Sequence, residues 1–324
     1  NYFWPKIINK TMLSIFTIPK PFIGLDDIHQ RNAIQSWMAI RPECEIILCG
    51  NDQGVAEVAK EYGVVHIPDI PVNEFGTPYL NHAFERAQEI AKYDLMCYVN
   101  ADIIFPPSLV ESISSIPFHK FLGVGRRFNL DVDCLVDFQD QRSSQQFFDL
   151  ANLQASEFIM GASDYFFFRK NEFADLPPFS VGRPYWDNWM IYTARKLGLP
   201  VVDVTKPILA VHQNHDHSHV KQVRKGSYYG PEGDRNLEYL GIENAFALYD
   251  ATHFLDSNNT IHKVRGDEYL KRKIRTMPIL KPRTGLRQKW QAFVQKFQMF
   301  LYFRREKIPY RVFESSVNFL DKLS

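Results

Sequence analysis

The sequence predicts an α/β fold: a mixed, mostly parallel sheet flanked by helices. Three observations carry this. Short β-branched runs alternate with helix-period segments through the first third of the chain, the pattern of consecutive βαβ units. The 324 residues are 45% hydrophobic and 23% charged, a balance that supplies a large core and excludes disordered, collagen-like and disulfide-scaffold classes. No apolar run approaches the ~18 residues of a membrane span, which excludes an integral membrane protein. The length fits one large domain with or without an appendage.

The elements follow in order. Leu13–Ile18 reads as a strand and Asp27–Ala39 as a helix with Ile28, Ala33, Ile34 and Trp37 near one face. Glu45–Cys49 is a strand ending in the turn Gly50-Asn51-Asp52-Gln53-Gly54, and Val55–Tyr62 is a helix stopped by Gly63. Val64–Ile67 is a third strand. Thr77–Lys92 reads as a long helix with Thr77 as N-cap and Pro78 at its first position. Leu95–Val99 is a strand that runs into Asn100-Ala101-Asp102. Beyond this the pattern is less regular. Phe121–Gly125 is a strand, 134–151 is mixed and polar, and 158–168 is an aromatic run broken by Gly161-Ala162-Ser163-Asp164. Trp186–Leu197 is a helix closed by Gly198, followed by short strands at Val201–Val204 and Ile208–Val211 and a histidine-rich loop, His212–His219.

Net charge is +1 overall but unevenly distributed. Residues 271–324 hold fourteen basic and three acidic side chains, a net of +11, which leaves −10 on residues 1–270. The predicted division is therefore an extension at 1–11, a body at 12–270 and a basic amphipathic helical region at 271–324. Leu286, Trp290, Phe293, Phe297, Phe300 and Leu301 share one helical face of that region. Such a segment suits an anionic membrane surface or docking on the acidic body, with nucleic acid the least favoured partner. Residues 1–11 lack the order of a secretory signal. Cys44, Cys49, Cys97 and Cys134 form no CxxC pair and read as buried, reduced thiols of a cytoplasmic protein.

Three clusters could carry chemistry. Asp102 falls just past a buried strand, where sheets of this kind bind ligands. There a carboxylate holds Mg²⁺ or Mn²⁺ against a diphosphate, or caps the next turn. Asp187 lies between Trp186 and Trp189 at a helix start. Partial desolvation would raise its pKa and suit a general base, whereas the helix dipole gives it a purely structural alternative. His212, His215, His217 and His219 crowd into eight residues. They offer metal or phosphate ligands or a pH-sensitive surface patch; a zinc hydrolase would want HExxH, which is absent. Arg126, Arg127, Lys221, Arg224 and Lys225 stand where a phosphate could be gripped. No GxGxxG or Walker loop is present.

Taken in order, these pieces resemble a GT-A-type nucleotide-sugar glycosyltransferase over roughly residues 12–255. The segment Glu45–Asp52 resembles the strand and acidic turn that hold the nucleoside; Leu80-Asn81 through Arg86, and then Leu95–Asp102, resemble the helix and strand leading to the DxD motif. Gly161–Asp164 resembles the acceptor-side turn, and Trp186-Asp187 the motif of the catalytic base in inverting members. His212 falls where many members place a further metal ligand. A bacterial set of GT-A-like proteins carries the string His-Gln-Asn-His-Asp-Tyr-Ser-His, here 212–219 with His217 in place of Tyr. Two departures stand out: Asn100 replaces the first Asp of DxD, and Gly50-Asn51 replaces the acidic pair of the nucleoside turn, leaving Asp52.

The resemblance implies a GT-A-like, Rossmann-like fold and a metal-dependent, inverting transfer from a UDP- or GDP-sugar to a hydroxyl of a glycan or lipid-linked acceptor. It implies Mn²⁺ or Mg²⁺ on Asp102 and His212, donor contacts from Asp52, Asn81, Asn100, Asp102, Arg126, Lys221 and Arg224, and Asp164 and Trp186 on the acceptor side. Asp187 would be the base, and the glycine, lysine and tyrosine content of 221–233 suits a lid. The expected role is surface polysaccharide or glycoconjugate synthesis, in the cytoplasm or peripheral on the inner membrane face. Asn100 favours the alternative, a GT-A-like module that binds sugar nucleotide, glycan or membrane without turnover.

Overall fold

The structure, a computed structural model, describes residues 12–215 and 230–281 and positions 285, 290, 292–294 and 296–297. The expected extension at 1–11, His217, His219, Lys221, Arg224, Lys225 and most of the basic tail lie outside the described residues.

The chain begins with β1 (Leu13–Thr17), α1 (Gly24–Met38), β2 (Glu45–Cys49), α2 (Val55–Tyr62), β3 (Val65–Ile67), α3 (Leu80–Ile90) and β4 (Leu95–Val99). It continues through β5 (Ile103–Ile104), α4 (Leu109–Ser114), β6 (Leu122–Val124), β7 (Phe128–Leu130), α5 (Gln141–Gln154), β8 (Ser156–Glu157) and β9 (Tyr165–Arg169). Then come α6 (Trp186–Lys196), β10 (Val201–Asp203), β11 (Val211–Gln213), α7 (Pro231–Leu240), β12 (His253–Leu255), β13 (Ile261–Lys263) and α8 (Asp267–Leu280).

Among the described residues, nine strands form one sheet in the order β13-β12-β10-β6-β9-β4-β1-β2-β3. Its pairs β1–β2, β1–β4, β2–β3, β6–β10 and β10–β12 are parallel. β9 runs antiparallel between β4 and β6, and β13 antiparallel to β12. The expected class, a mixed and mostly parallel α/β sheet flanked by helices, is the one observed. Strands covered on both faces carry no polar alternation: β1, β2 and β4 are buried at every position. One face packs Phe16, Tyr98 and Phe168 against Phe84 of α3 and Met190 of α6. The Phe84 and Phe168 rings stack 5.4 Å apart. The other face packs Ile15, Cys97 and Phe167 against Trp37 of α1, Val58 of α2 and Val110 of α4. A second sheet, β5-β11-β7-β8, rests on α5 through Val211, Leu130, Phe147 and Phe148.

Several boundaries differ from the sequence reading. α3 starts at Leu80 because Thr77–Tyr79 is taken by bridges Val72–Pro78 and Tyr79–Ser180, and the Thr77 N–H donates to Asn73 Oδ1 at 3.0 Å. Tertiary pairing here outcompetes local capping. The mixed polar stretch contains α5, which Asp140 caps through Ser143 N at 2.7 Å. β11 begins at Val211, so His212 lies inside a strand rather than after one. Of the thiols, Cys49 and Cys97 are buried, Cys44 is half-buried and Cys134 is exposed, in the loop that follows β7. That corrects the expectation that all four are internal. α8 runs through residue 270 and buries Leu270, Ile274 and Met277. Its Arg272 pairs at 2.7 Å with Asp250, itself 1% exposed. Further along, Trp290, Phe293 and Phe297 are exposed while Val294 is buried. No described helix is long and apolar enough to cross a membrane.

Candidate functional site

Asp102 leaves the carboxyl end of β4 and immediately precedes β5. β11 pairs antiparallel with β5, setting His212 opposite Ile103. This ladder brings together residues distant in sequence. The Gln213 side chain fixes the register: its amide donates to the Asp102 carbonyl at 3.1 Å and the His29 carbonyl at 2.7 Å, and its Oε1 accepts from Asn32 at 3.0 Å. His215 Nε2–H then donates to Asp102 Oδ2 at 3.0 Å, and His212 Nε2 lies 3.6 Å from the same oxygen. Asp102, His212 and His215 offer one ligand atom each within 4.8 Å of one another, the group among the described residues that could hold a metal ion.

The electrostatics of this cluster follow from its burial. The three side chains are 13%, 8% and 11% exposed. Burial is the largest influence on Asp102 and pushes its pKa up, but His212, His215 and Lys20 together hold it well below the ordinary carboxylate range. Burial pushes His212 down to about 4, against the pull of Asp102, so its imidazole is neutral near pH 7, the form that ligates a cation. Asp102 Oδ1 and His212 Nδ1 are buried without a hydrogen-bond partner. Buried polar atoms are normally satisfied, so these orphans, in a carboxylate–bisimidazole donor set, fit a divalent cation.

A second acidic group adjoins the first. β9 is antiparallel to β4, so Asp164, just before β9, meets the end of β4, and Asn100 N–H donates to the Asp164 carbonyl at 2.9 Å. Asp164 Oδ1 accepts from Asn100 Nδ2 at 2.7 Å and Arg127 Nη1 at 2.9 Å, while Oδ2 is buried and unpartnered. Burial raises the Asp164 pKa, Arg127 opposes it and Asp102 adds to it. Arg127 also lies 4.1 Å from the Phe158 ring centroid. Asp187 sits in the first turn of α6, and its Oδ2 accepts from Ser163 N–H at 3.1 Å. Burial pushes Asp187 up to about 6, against hydrogen bonds from Ser163 and Asn188 and reinforced by Asp164. The residue before this helix turn, Tyr185, has φ +87°. A bulky side chain in the left-handed region is strained, and such strain recurs where a fold aims a functional group.

The other expected residues are dispersed. Asp52 is exposed in the turn after β2. Asn81 lies in the first turn of α3, with Oδ1 buried and unpartnered. The Arg126 guanidinium is tied to Glu157 at 2.6 Å. Trp186 is 5% exposed and packs between Tyr98 and Phe166, at 5.1 and 5.3 Å between ring centroids. That corrects the expectation of an acceptor-facing ring: the core takes this indole. The structure adds Lys20, which pairs with Asp26 at 3.1 Å and acts on Asp102 and His212. Its position three residues past β1, at the carboxyl edge of the sheet, was the available signal. Gln213, inside the histidine run, was missed because its role is to brace the Asp102 backbone.

No family model matches the chain, and no curated protein matches it. Among solved structures, TarS 1–349 from S. aureus in complex with UDP-GlcNAc is similar at 11% identity, covering 90% of this chain and 81% of that one, with a TM-score of 0.46. Glucosyl-3-phosphoglycerate synthase from Mycobacterium tuberculosis, in complex with Mn²⁺, UDP-glucose and phosphoglyceric acid, is similar at 14% identity over 79% of this chain and 87% of that one, with a TM-score of 0.43. The same enzyme with Mg²⁺ and UDP gives 14%, 65%, 74% and 0.40. Likeness at this level transfers no activity to this chain.

Proposed function

We propose that this chain is a metal-dependent glycosyltransferase that moves a sugar from a nucleotide-diphosphate sugar, UDP- or GDP-linked, to an acceptor hydroxyl. One observation carries the reading. At the carboxyl edge of a mostly parallel sheet, a carboxylate–bisimidazole cluster fit for a divalent cation adjoins the Asn100–Asp164 hydrogen bond, and the neighbouring Ser163 N–H holds a partly buried acid, Asp187, at a helix start.

Asp102, His212 and His215 would hold Mn²⁺ or Mg²⁺, which would supply positive charge toward the diphosphate leaving group. Asp187, with one oxygen fixed by Ser163 N–H, accepts the proton of the acceptor hydroxyl. One base and one displacement give inversion at the sugar. Asp164, held by Asn100 and Arg127, stands on the acceptor side. Asp52, Asn81, Asn100, Arg126, Lys221 and Arg224 are the proposed donor contacts, of which Asn81 offers a buried oxygen without a partner.

The test is a melting-temperature screen of the full chain with UDP-, GDP-, CMP- and dTDP-sugars, with and without Mn²⁺, followed by assignment of the product anomer. A metal-dependent rise with one nucleotide class supports the reading; no rise with any of them refutes it. Binding without transfer to any hydroxyl acceptor would favour the non-catalytic module that Asn100 suggests.

The acceptor is proposed to be a glycan or lipid-linked chain met at the inner face of an anionic membrane, in surface polysaccharide or glycoconjugate synthesis. Support comes from the net +11 of residues 271–324 and from the exposed ridge of Trp290, Phe293 and Phe297, whose rings follow at 5.5 and 6.3 Å. Basic residues near an anionic leaflet contribute roughly 1 kcal/mol each, screened by salt. Co-sedimentation of the full chain with anionic but not neutral vesicles, weakened by salt and by Trp290→Ser with Phe293→Ser, is expected. Equal sedimentation with both lipids would remove the membrane from the proposal.

A further inference from the structure

We infer that the chain takes up its divalent cation before, and independently of, any nucleotide, through three protein ligands, Asp102, His212 and His215, and that this set ranks Zn²⁺ and Co²⁺ above Mn²⁺ and Mn²⁺ above Mg²⁺. The inference concerns the metal of the site proposed above and rests on that reading only where it mentions the nucleotide.

Spacing is the first support. Around a cation with bonds of about 2.1 Å, neighbouring ligand atoms lie about 3.0 Å apart at 90° and about 3.4 Å apart at the tetrahedral angle. The Asp102–His215 and Asp102–His212 separations are 3.0 and 3.6 Å. Both separations are measured to Asp102 Oδ2, so two of the three edges stand near those of a coordination polyhedron, with His215 giving up its hydrogen bond to Oδ2 as the ion enters; all three ligand atoms lie within 4.8 Å of one another.

Pre-organisation is the second. The cluster sits on the β5–β11 ladder, and Gln213 bolts that ladder to α1 through the His29 carbonyl and Asn32. His29 in turn donates from Nε2 to the Val132 carbonyl at 2.7 Å, and its ring lies 6.4 Å from that of His215. Ligands held by backbone pairing and buried amides lose little freedom when the ion enters. A lone carboxylate, by contrast, holds a hydrated ion weakly until phosphate oxygens complete the shell. Three protein donors supply enough of the shell to bind alone and still leave positions for a diphosphate.

Donor chemistry is the third. Mg²⁺ prefers oxygen and sheds water reluctantly. Two imidazoles in a set of three move the preference to first-row transition ions, in the order Mn²⁺ below Co²⁺ and Zn²⁺.

The experiment is calorimetric titration of the full chain with MnCl₂, CoCl₂, ZnCl₂ and MgCl₂ in the absence of nucleotide, with loss of the free Mn²⁺ resonance signal as a second readout. One ion per chain is expected, with affinities in the stated order. His215→Ala should weaken Mn²⁺ binding by more than the roughly 10–100-fold that loss of an outer-shell partner costs. His215→Gln separates the two roles this side chain could have. Glutamine can still donate a hydrogen bond to Asp102, so preserved affinity would show that His215 orients the carboxylate and is no ligand. Melting of each variant without metal confirms folding, and if His215→Ala fails to fold, His215→Gln decides alone. Metal uptake only in the presence of nucleotide, or equal affinity for Mn²⁺ and Mg²⁺, overturns the inference and leaves the glycosyltransferase reading standing. Metal uptake as expected, with no nucleotide sugar bound, does the reverse.

Discussion

Buried acids occur at both ends of the main sheet, and they are treated differently. At the amino ends, Glu45 of β2 is 9% exposed, and its Oε2 accepts from Ser14 Oγ at 2.5 Å and Lys92 N–H at 2.7 Å. It ties β1 to the segment that enters β4. At the carboxyl ends, Asp102 and Asp164 each keep a buried oxygen without a partner, and burial pushes Asp187 up to about 6. A folded chain seldom leaves such groups unsatisfied. Glu172, past the end of β9 at the amino edge, also keeps one buried oxygen without a partner while the other accepts from Arg169 N–H; what sets Asp102, Asp164 and Asp187 apart is that they gather where open α/β sheets bind ligands.

The largest test of that contrast is Asp187→Asn. Loss of a general base typically slows the chemical step by ~10²–10⁴-fold, and donor affinity should hold. With the carboxyl pushed up to about 6, the rate of the proposed transfer in the native chain should climb as pH rises through that value, because a base works ionised. The stability linkage has the opposite sign: a raised folded-state pKa contributes stability below the ordinary carboxylate pKa and loses it as pH rises through about 6. Turnover near normal in the variant would reduce Asp187 to a helix-start acid resembling Glu45 in role.

Next comes Asp102→Ala. Ligand at ~100 times its dissociation constant stabilises a fold by about 2.7 kcal/mol, and the metal-dependent share of that gain should vanish. Metal-independent nucleotide binding that is unchanged in the variant, with no metal-dependent share in the native chain, would remove Asp102 from the ligand set.

The smallest effect belongs to the other end of the sheet. Glu45→Ala leaves the Ser14 hydroxyl and the Lys92 N–H without their acceptor, a loss of about 1–3 kcal/mol in unfolding free energy. Mn²⁺ affinity should stay within twofold of native. A drop in metal affinity comparable to that of Asp102→Ala would erase the distinction between the two ends.

Much of the frame was readable because its signals are local. β2 and α2 fall at the expected residues, set by an apolar run closed by Gly50 and by the left-handed Gly63. Asp102 could be singled out because it follows a buried strand directly. What stayed hidden depends on pairing between distant segments. The partnership of His215 with Asp102 requires the β5–β11 ladder, which no periodicity announces in strands of two and three residues. Trp186 next to Asp187 looked the same whether it faced a sugar or Tyr98, since an indole suits both. Asn100 read as a departure from an acidic motif, and the structure shows it donating to a neighbouring acid instead.

The β5–β11 ladder also sets a schedule. Asp102 and His215 are 113 positions apart in the chain, so during synthesis the first four strands of the main sheet leave the ribosome long before the histidines do. A nascent chain that reaches only a little past those strands, to Asp102, holds one of the three proposed ligands. On the proposed ligand set, ion capture would wait for β11 to pair with β5, a long-range closure of the kind that slows folding. An ion held by all three would then mark a chain whose two halves have found each other.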